Sequence, residues 1–155
     1  PVQDFGNAFS TFVAQNKGAG KINRVKEGVR SSTKIIIIFC VIVSSLIFIF
    51  SKDIMYIFIN KSEIEVISLG VEYLSVVSIF YVLIGFLFMF YGLFRGVGLI
   101  NISIVLTVVL GTRVILAYIL ASTWLSERGI WWSIPIGWAL ADIIGIVYYQ
   151  KKINL

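Results

Sequence analysis

The chain has 155 residues, of which 59% are hydrophobic and only 14% charged, with a net charge of +5. Water-soluble domains carry about 25% charged residues, and a soluble fold of this size has too little interior to hide so much apolar surface. The chain therefore reads as an all-α integral membrane protein. It has no histidine and one cysteine, Cys40, which excludes most zinc sites, histidine-based triads, haem ligation and an intrachain disulfide.

The chain opens on Pro1-Val2-Gln3-Asp4-Phe5 without an initiator Met or a signal peptide, and it reads as a fragment whose N-terminal part is missing. Phe5, Phe9, Phe12 and Val13 fall at helical spacing, so residues 1–16 are predicted to be the end of a helix. Gly6, Ala8 and Ser10 are small enough to admit a neighbouring helix. Gly18 is the expected C-terminal cap, and 17–34 is expected to be a cytoplasmic loop. A first transmembrane helix is predicted over 34–51, charge-free from 35 to 51. Its β-branched residues would suggest strand in water, but in lipid a helix satisfies its own backbone hydrogen bonds. Residues 52–65 read as a polar loop in which 54–59 rest in the interface. Further spans are predicted over 66–94, 99–122 and 130–149. Arg95-Gly96-Val97-Gly98 makes one connecting turn and 123–129 another, and Lys151 and Lys152 end the last helix.

Positive charge orients these spans. Counted on alternate sides, the segments carry nine and three basic residues. The 17–34 segment, the Arg95 turn and the C-terminus are therefore expected in the cytoplasm. Trp124, Trp131 and Trp132 mark the outer interface, and Tyr148 and Tyr149 the inner one. The basic residues are read as a contact for anionic headgroups and not as a nucleic-acid footprint.

Chemistry is sparse. Gly18-Ala19-Gly20-Lys21 fails as a phosphate loop, because Gln15 stands where the first glycine belongs and Ile22 where Ser or Thr belongs. Nothing pairs carboxylates or assembles a nucleophile at working spacing, so no enzyme site and no cofactor are expected. The informative residues are the intramembrane charges. Arg113 and Asp142 fall at depths of about 13 and 18 Å below the outer surface at ~1.5 Å per residue. They read either as a structural pair across a helix hairpin or as groups lining a cation or substrate path. Glu72 is shallower and reads as a rim residue. Gly137, Ala141 and Gly145, and likewise Gly92 and Gly96, are stripes for close helix packing. The aromatic run Phe80-Tyr81, Phe86, Phe88, Phe90-Tyr91 either faces lipid and other helices or meets an apolar cation.

Phe5-Gly6-Asn7-Ala8-Phe9-Ser10-Thr11-Phe12-Val13-Ala14-Gln15-Asn16-Lys17-Gly18-Ala19-Gly20-Lys21, followed by Arg24 and Gly28, resembles the multidrug and toxic compound extrusion (MATE) family. That family has a Gln-Asn-x-Gly-Ala-Gly-type motif at the cytoplasmic end of a helix, here Gln15, Asn16, Gly18, Ala19 and Gly20. Tyr73-Leu74, Phe94-Arg95-Gly96-Val97-Gly98, Leu116-Ala117-Tyr118 after Arg113, and Ile134-Pro135-Ile136-Gly137-Trp138 follow in the order the family has them. The resemblance implies a twelve-helix, two-lobed transporter of the plasma membrane. Residues 1–155 would be part of its C-terminal lobe, holding the end of helix eight and helices nine to twelve, with the N-terminal half missing. Its implied partners are the lipid bilayer, a coupling cation (sodium or proton) and a small organic cation, the cationic lipophilic drug or metabolite it exports. The acidic residue that some members carry midway along the tenth helix is absent from 73–94, which leaves the coupling ion open. A lipid-linked oligosaccharide flippase of the same superfamily and a small non-transport membrane-assembly subunit are the alternatives. Against the flippase stands the lack of deep basic residues other than Arg113.

Overall fold

The computed structural model describes residues 1–152. Its elements are six helices: α1 (Val2–Gly18), α2 (Ile22–Phe58), α3 (Ile64–Ile79), α4 (Tyr81–Gly96), α5 (Ile100–Ala121) and α6 (Glu127–Lys152). Helices α2, α5 and α6 are each long and apolar enough to cross a membrane, and α3 with α4, bent by 51°, is long and apolar enough for a fourth span when the pair is taken as one. With the 17 residues of α1 this is the expected all-α membrane bundle of four spans and the end of a fifth. Ile38, Val41, Ile42 and Ile49 on α2, and Val108, Ile115 and Ile119 on α5, are all more than half exposed. That surface suits hydrocarbon and not water.

Helix α4 is the hub. It packs on all five other helices and buries Gly85, Leu87, Met89, Phe90, Gly92, Leu93 and Phe94. Small residues let backbones meet around it. A Cβ on Gly6 would lie 2.5 Å from the Phe88 carbonyl oxygen, one on Gly96 2.6 Å from that of Ser10, and one on Gly92 would strike the Gly6 carbonyl. These contacts run α1 and α4 parallel. A Cβ on Gly85 would meet Ile36 and Cys40 of α2, and one on Gly145 the Phe90 ring. Helices α5 and α6 form an antiparallel hairpin, with Gly129 against Leu120 and Gly137 against Arg113. The ends of α1, α4 and α6 therefore share one face of the bundle.

Four sequence expectations change. Gly18 is still helical, and the left-handed residue is Gly20, at φ +70°. The 17–34 segment is no loop: only 19–21 lie outside helices, and α2 begins at Ile22. No breaker follows Gly20, and Val25, Val29, Ser32, Ile36 and Cys40 make one buried face at helical spacing. Gly28 there makes room for the Phe12 ring. At its other end α2 runs on through Lys52 and Asp53 to Phe58, so most of the expected interfacial stretch is its last turns. Lys52 and Lys61 flank the Tyr56 ring there, 5.8 and 5.2 Å from its centre. Finally, the 66–94 span breaks at Phe80 without Pro or Gly. The Ser75 and Ser78 hydroxyls donate to the Val71 and Ser75 carbonyls, a back-bonding that bends helices. The Phe80 ring then packs on Trp132, 5.6 Å between centres.

Candidate functional site

The signature stretch closes α1 with a Schellman turn. The Lys21 amide donates to the Asn16 carbonyl (2.8 Å) and the Gly20 amide to that of Lys17 (2.9 Å). The same turn ends α4: Leu99 donates to Phe94 (2.8 Å), Gly98 to Arg95 (3.1 Å), and Gly98 has φ +76°. The two turns lie side by side and are cross-linked. Lys17 donates to the Val97 carbonyl, and Arg95 donates to Asn7 Oδ1 at 3.0 Å. Of the signature residues, Asn16 is buried and donates back to the Phe12 carbonyl at 2.8 Å. Gln15, Gly18, Ala19 and Arg24 are exposed. Arg24 and Glu27 edge a groove of about 430 Å³ beside Phe5, Phe9 and Phe12. These residues build and latch the end of the bundle; they do not converge on one point.

Of the two readings of Arg113 and Asp142, the structural pair does not form among the described residues. The hairpin register set by Gly137 against Arg113 puts Val108 level with Asp142. Asp142 is also rotated about 140° around α6 from Gly137, at ~100° per residue. It looks instead toward α4 and α2. There it lines a cavity of about 440 Å³ with Thr33, Phe86, Met89, Phe90 and Tyr149. Asp142 is 5% exposed, and neither carboxylate oxygen has a hydrogen-bond partner among the described residues. The cavity's other polar side chains are Thr33, whose hydroxyl is 3.9 Å from Met89 Sδ, and Tyr149.

Arg113 is exposed on the other flank and lines a separate cavity of about 610 Å³ with Tyr73, Tyr118 and Ser133. Glu72 lies apart from both cavity charges. It pairs with Arg128 at the start of α6, Nε to Oε1 at 2.7 Å, a contact sequence spacing could not reveal. Tyr73 and Trp131 meet edge to face just inside it, 6.2 Å apart. Two of the six residues of the aromatic run also have a use that sequence left open, since Phe86 and Phe90 wall the Asp142 cavity. Among the described residues no group of three metal-ligating side chains comes together.

Comparison with known proteins adds the kinship. Two solved structures of a multidrug resistance MATE family transporter of the MOP superfamily match at 25% identity over 99% of this chain. The TM-score is 0.90 for its outward-facing conformation and 0.89 for its inward-facing one. A MATE structure in the bent conformation matches at 23% identity with a TM-score of 0.85, also over 99% of this chain, a likeness of fold. The chain spans 35% of the outward-facing protein and 36% of each of the other two. No curated protein matches. The MatE family model covers residues 1–119, which takes in both Schellman turns, the hub helix between them and most of α5; the chain belongs to the MatE family of membrane transporters.

Proposed function

We propose that residues 1–155 form most of the C-terminal lobe of a twelve-helix secondary transporter. That transporter exports cationic, lipophilic compounds across the plasma membrane in exchange for sodium ions or protons. The observation that carries this reading is the near-equal likeness to an outward-facing and an inward-facing multidrug transporter. A bundle that fits both states equally well suits a lobe that rocks as a unit during alternating access. The basic ends of α1, α4 and α6, gathered on one face, favour that face as the cytoplasmic one.

The test is ethidium efflux from cells expressing the full-length protein, with and without a sodium gradient. Energy-dependent loss of ethidium supports the reading. Retention equal to that of empty cells under both sodium and proton gradients would overturn it.

A further inference from the structure

The Asp142 cavity asks what its carboxylate is for. Its place in the fold is unusual. Helices α2 and α6 do not touch one another, and α4 lies between them. The cavity is thus a groove walled by α2 and α6 and floored by Phe86, Met89 and Phe90 of α4. Asp142, Ile146 and Tyr149 stand at four- and three-residue spacing along α6, so the groove leads from mid-helix toward the basic end of the bundle. At that end Tyr149 supplies a hydroxyl.

An ionised carboxylate in such a place is expensive unless something neutralises it, which is why intramembrane acids mark ion and proton routes. Among the described residues the Asp142 carboxylate has no partner. Helix α2 presents Val29 and Thr33 and α4 presents only apolar groups; on α6 itself Tyr149 is the one other titratable group in the groove. The single charge on α5, Arg113, packs at Gly137 and faces the other cavity. Of the acids of α3, Glu65 lies in its first turn, and Glu72 is taken by Arg128 at the far end of α6. The neutralising species therefore comes from outside the described residues; a fixed basic side chain from the rest of the transporter would hold the carboxylate ionised and leave no protonated-carboxyl band. A hard metal cation needs a shell of oxygens, and here the side chains supply the two of Asp142, one of Thr33 and one of Tyr149 among hydrocarbon and a thioether. A proton needs one carboxylate oxygen and no shell.

We propose that the groove between α2 and α6 is a proton site in which Asp142 is the acceptor, loaded from the basic end past Tyr149. Binding adds one proton to a carboxylate oxygen and leaves a neutral acid; release reverses it. This rests on the transporter reading and names the coupling ion and the group that carries it.

The experiment uses the full-length protein in liposomes, with ethidium as the transported probe. Wild type accumulates ethidium under a pH gradient. Asp142→Asn, a neutral isostere that an apolar groove accepts, loses that accumulation while still carrying out downhill ethidium exchange. Asp142→Glu restores part of the pH-driven uptake. Loss of downhill exchange as well would make Asp142 part of a substrate site and overturn the proposal. Sodium-driven uptake that Asp142→Asn leaves intact would overturn it too. Infrared difference spectra on a pH step provide an arm that needs no transport. A protonated-carboxyl band is expected in wild type and lost in Asp142→Asn; its absence from wild type sinks the proton site. Wild type inactive under either gradient, with the band present, would instead fault the transporter reading alone.

Discussion

Gly18 and Gly20 belong to the same motif but do different work. Gly20 holds φ +70°, a backbone that side chains with a Cβ adopt at a cost of about 1 kcal/mol or more. Gly18 is helical, with open space where a Cβ would stand. Gly20→Ala should therefore lower stability by about 1 kcal/mol, whereas Gly18→Ala should be neutral or slightly stabilising through better helix propensity. Denaturant unfolding of the purified protein in detergent checks both. The Glu72–Arg128 pair is short but its side chains are 39% and 60% exposed. A double-mutant cycle to alanine should return a coupling of only about 0.5 kcal/mol; more than about 2 kcal/mol would mean that the pair is shielded from water in the membrane. At this scale sequence spacing located depth but not direction. It put Arg113 and Asp142 within a few ångströms along the hairpin axis. The 140° that separates Gly137, where Arg113 packs, from Asp142 depends on how α4 and α5 divide the faces of α6, and one helix's sequence does not state that division.

The interface between α1 and α4 rests on backbone approaching backbone. A methyl on Gly92 would strike the Gly6 carbonyl, which cannot swing aside as a side chain would. On α5, Gly111 has open space around it. Gly92→Ala is expected to cost about 1–3 kcal/mol as an overpacked contact, and Gly111→Ala nothing or a small gain. Thermal stability and yield of the two variants decide this; equal behaviour would show that the α1–α4 contact yields. The sequence made this interface readable through its small residues, and it gave the number of spans through their apolar lengths. Element boundaries were harder, because hydrophobicity and helicity end at different places. Helix α2 has 37 residues, about 55 Å at ~1.5 Å per residue, against a hydrocarbon core of about 30 Å. Its polar ends lie outside the apolar stretch yet stay helical, since a helix continues until a breaker or a cap stops it. The break at Phe80 was hidden for the opposite reason. Serine hydroxyls bonding their own backbone bend the span without any residue that announces a bend.

For the whole molecule, the parallel run of α1 and α4 and the hairpin of α5 and α6 bring nearly all uncompensated positive charge to one face. Lys17, Lys21, Arg24, Lys26 and Arg30 lie there with Arg95, Lys151 and Lys152. The opposite face mixes Lys52, Lys61 and Arg128 with Asp53, Glu63, Glu65, Glu72 and Glu127. The sequence reading reached the same division from loop charges alone, because charge asymmetry survives errors of several residues in each boundary. An excess of Lys and Arg is retained on the cytoplasmic side during insertion, so the orientation has a direct test. In a full-length background with Cys40 and every other cysteine replaced by Ala, Asn23→Cys and Ser62→Cys place single thiols at exposed positions on opposite faces. Cys40 itself is buried between α2 and α4, so replacing it leaves those faces unchanged. In intact cells expressing the full-length protein, a membrane-impermeant maleimide should label Ser62→Cys at once. Asn23→Cys should react only after permeabilisation. The reverse pattern would invert the bundle and make the basic face external. It would also reverse the side from which a proton reaches Asp142, because the groove leads toward the basic end. Labelling of both positions from outside would mean that the two faces are not separated by a bilayer.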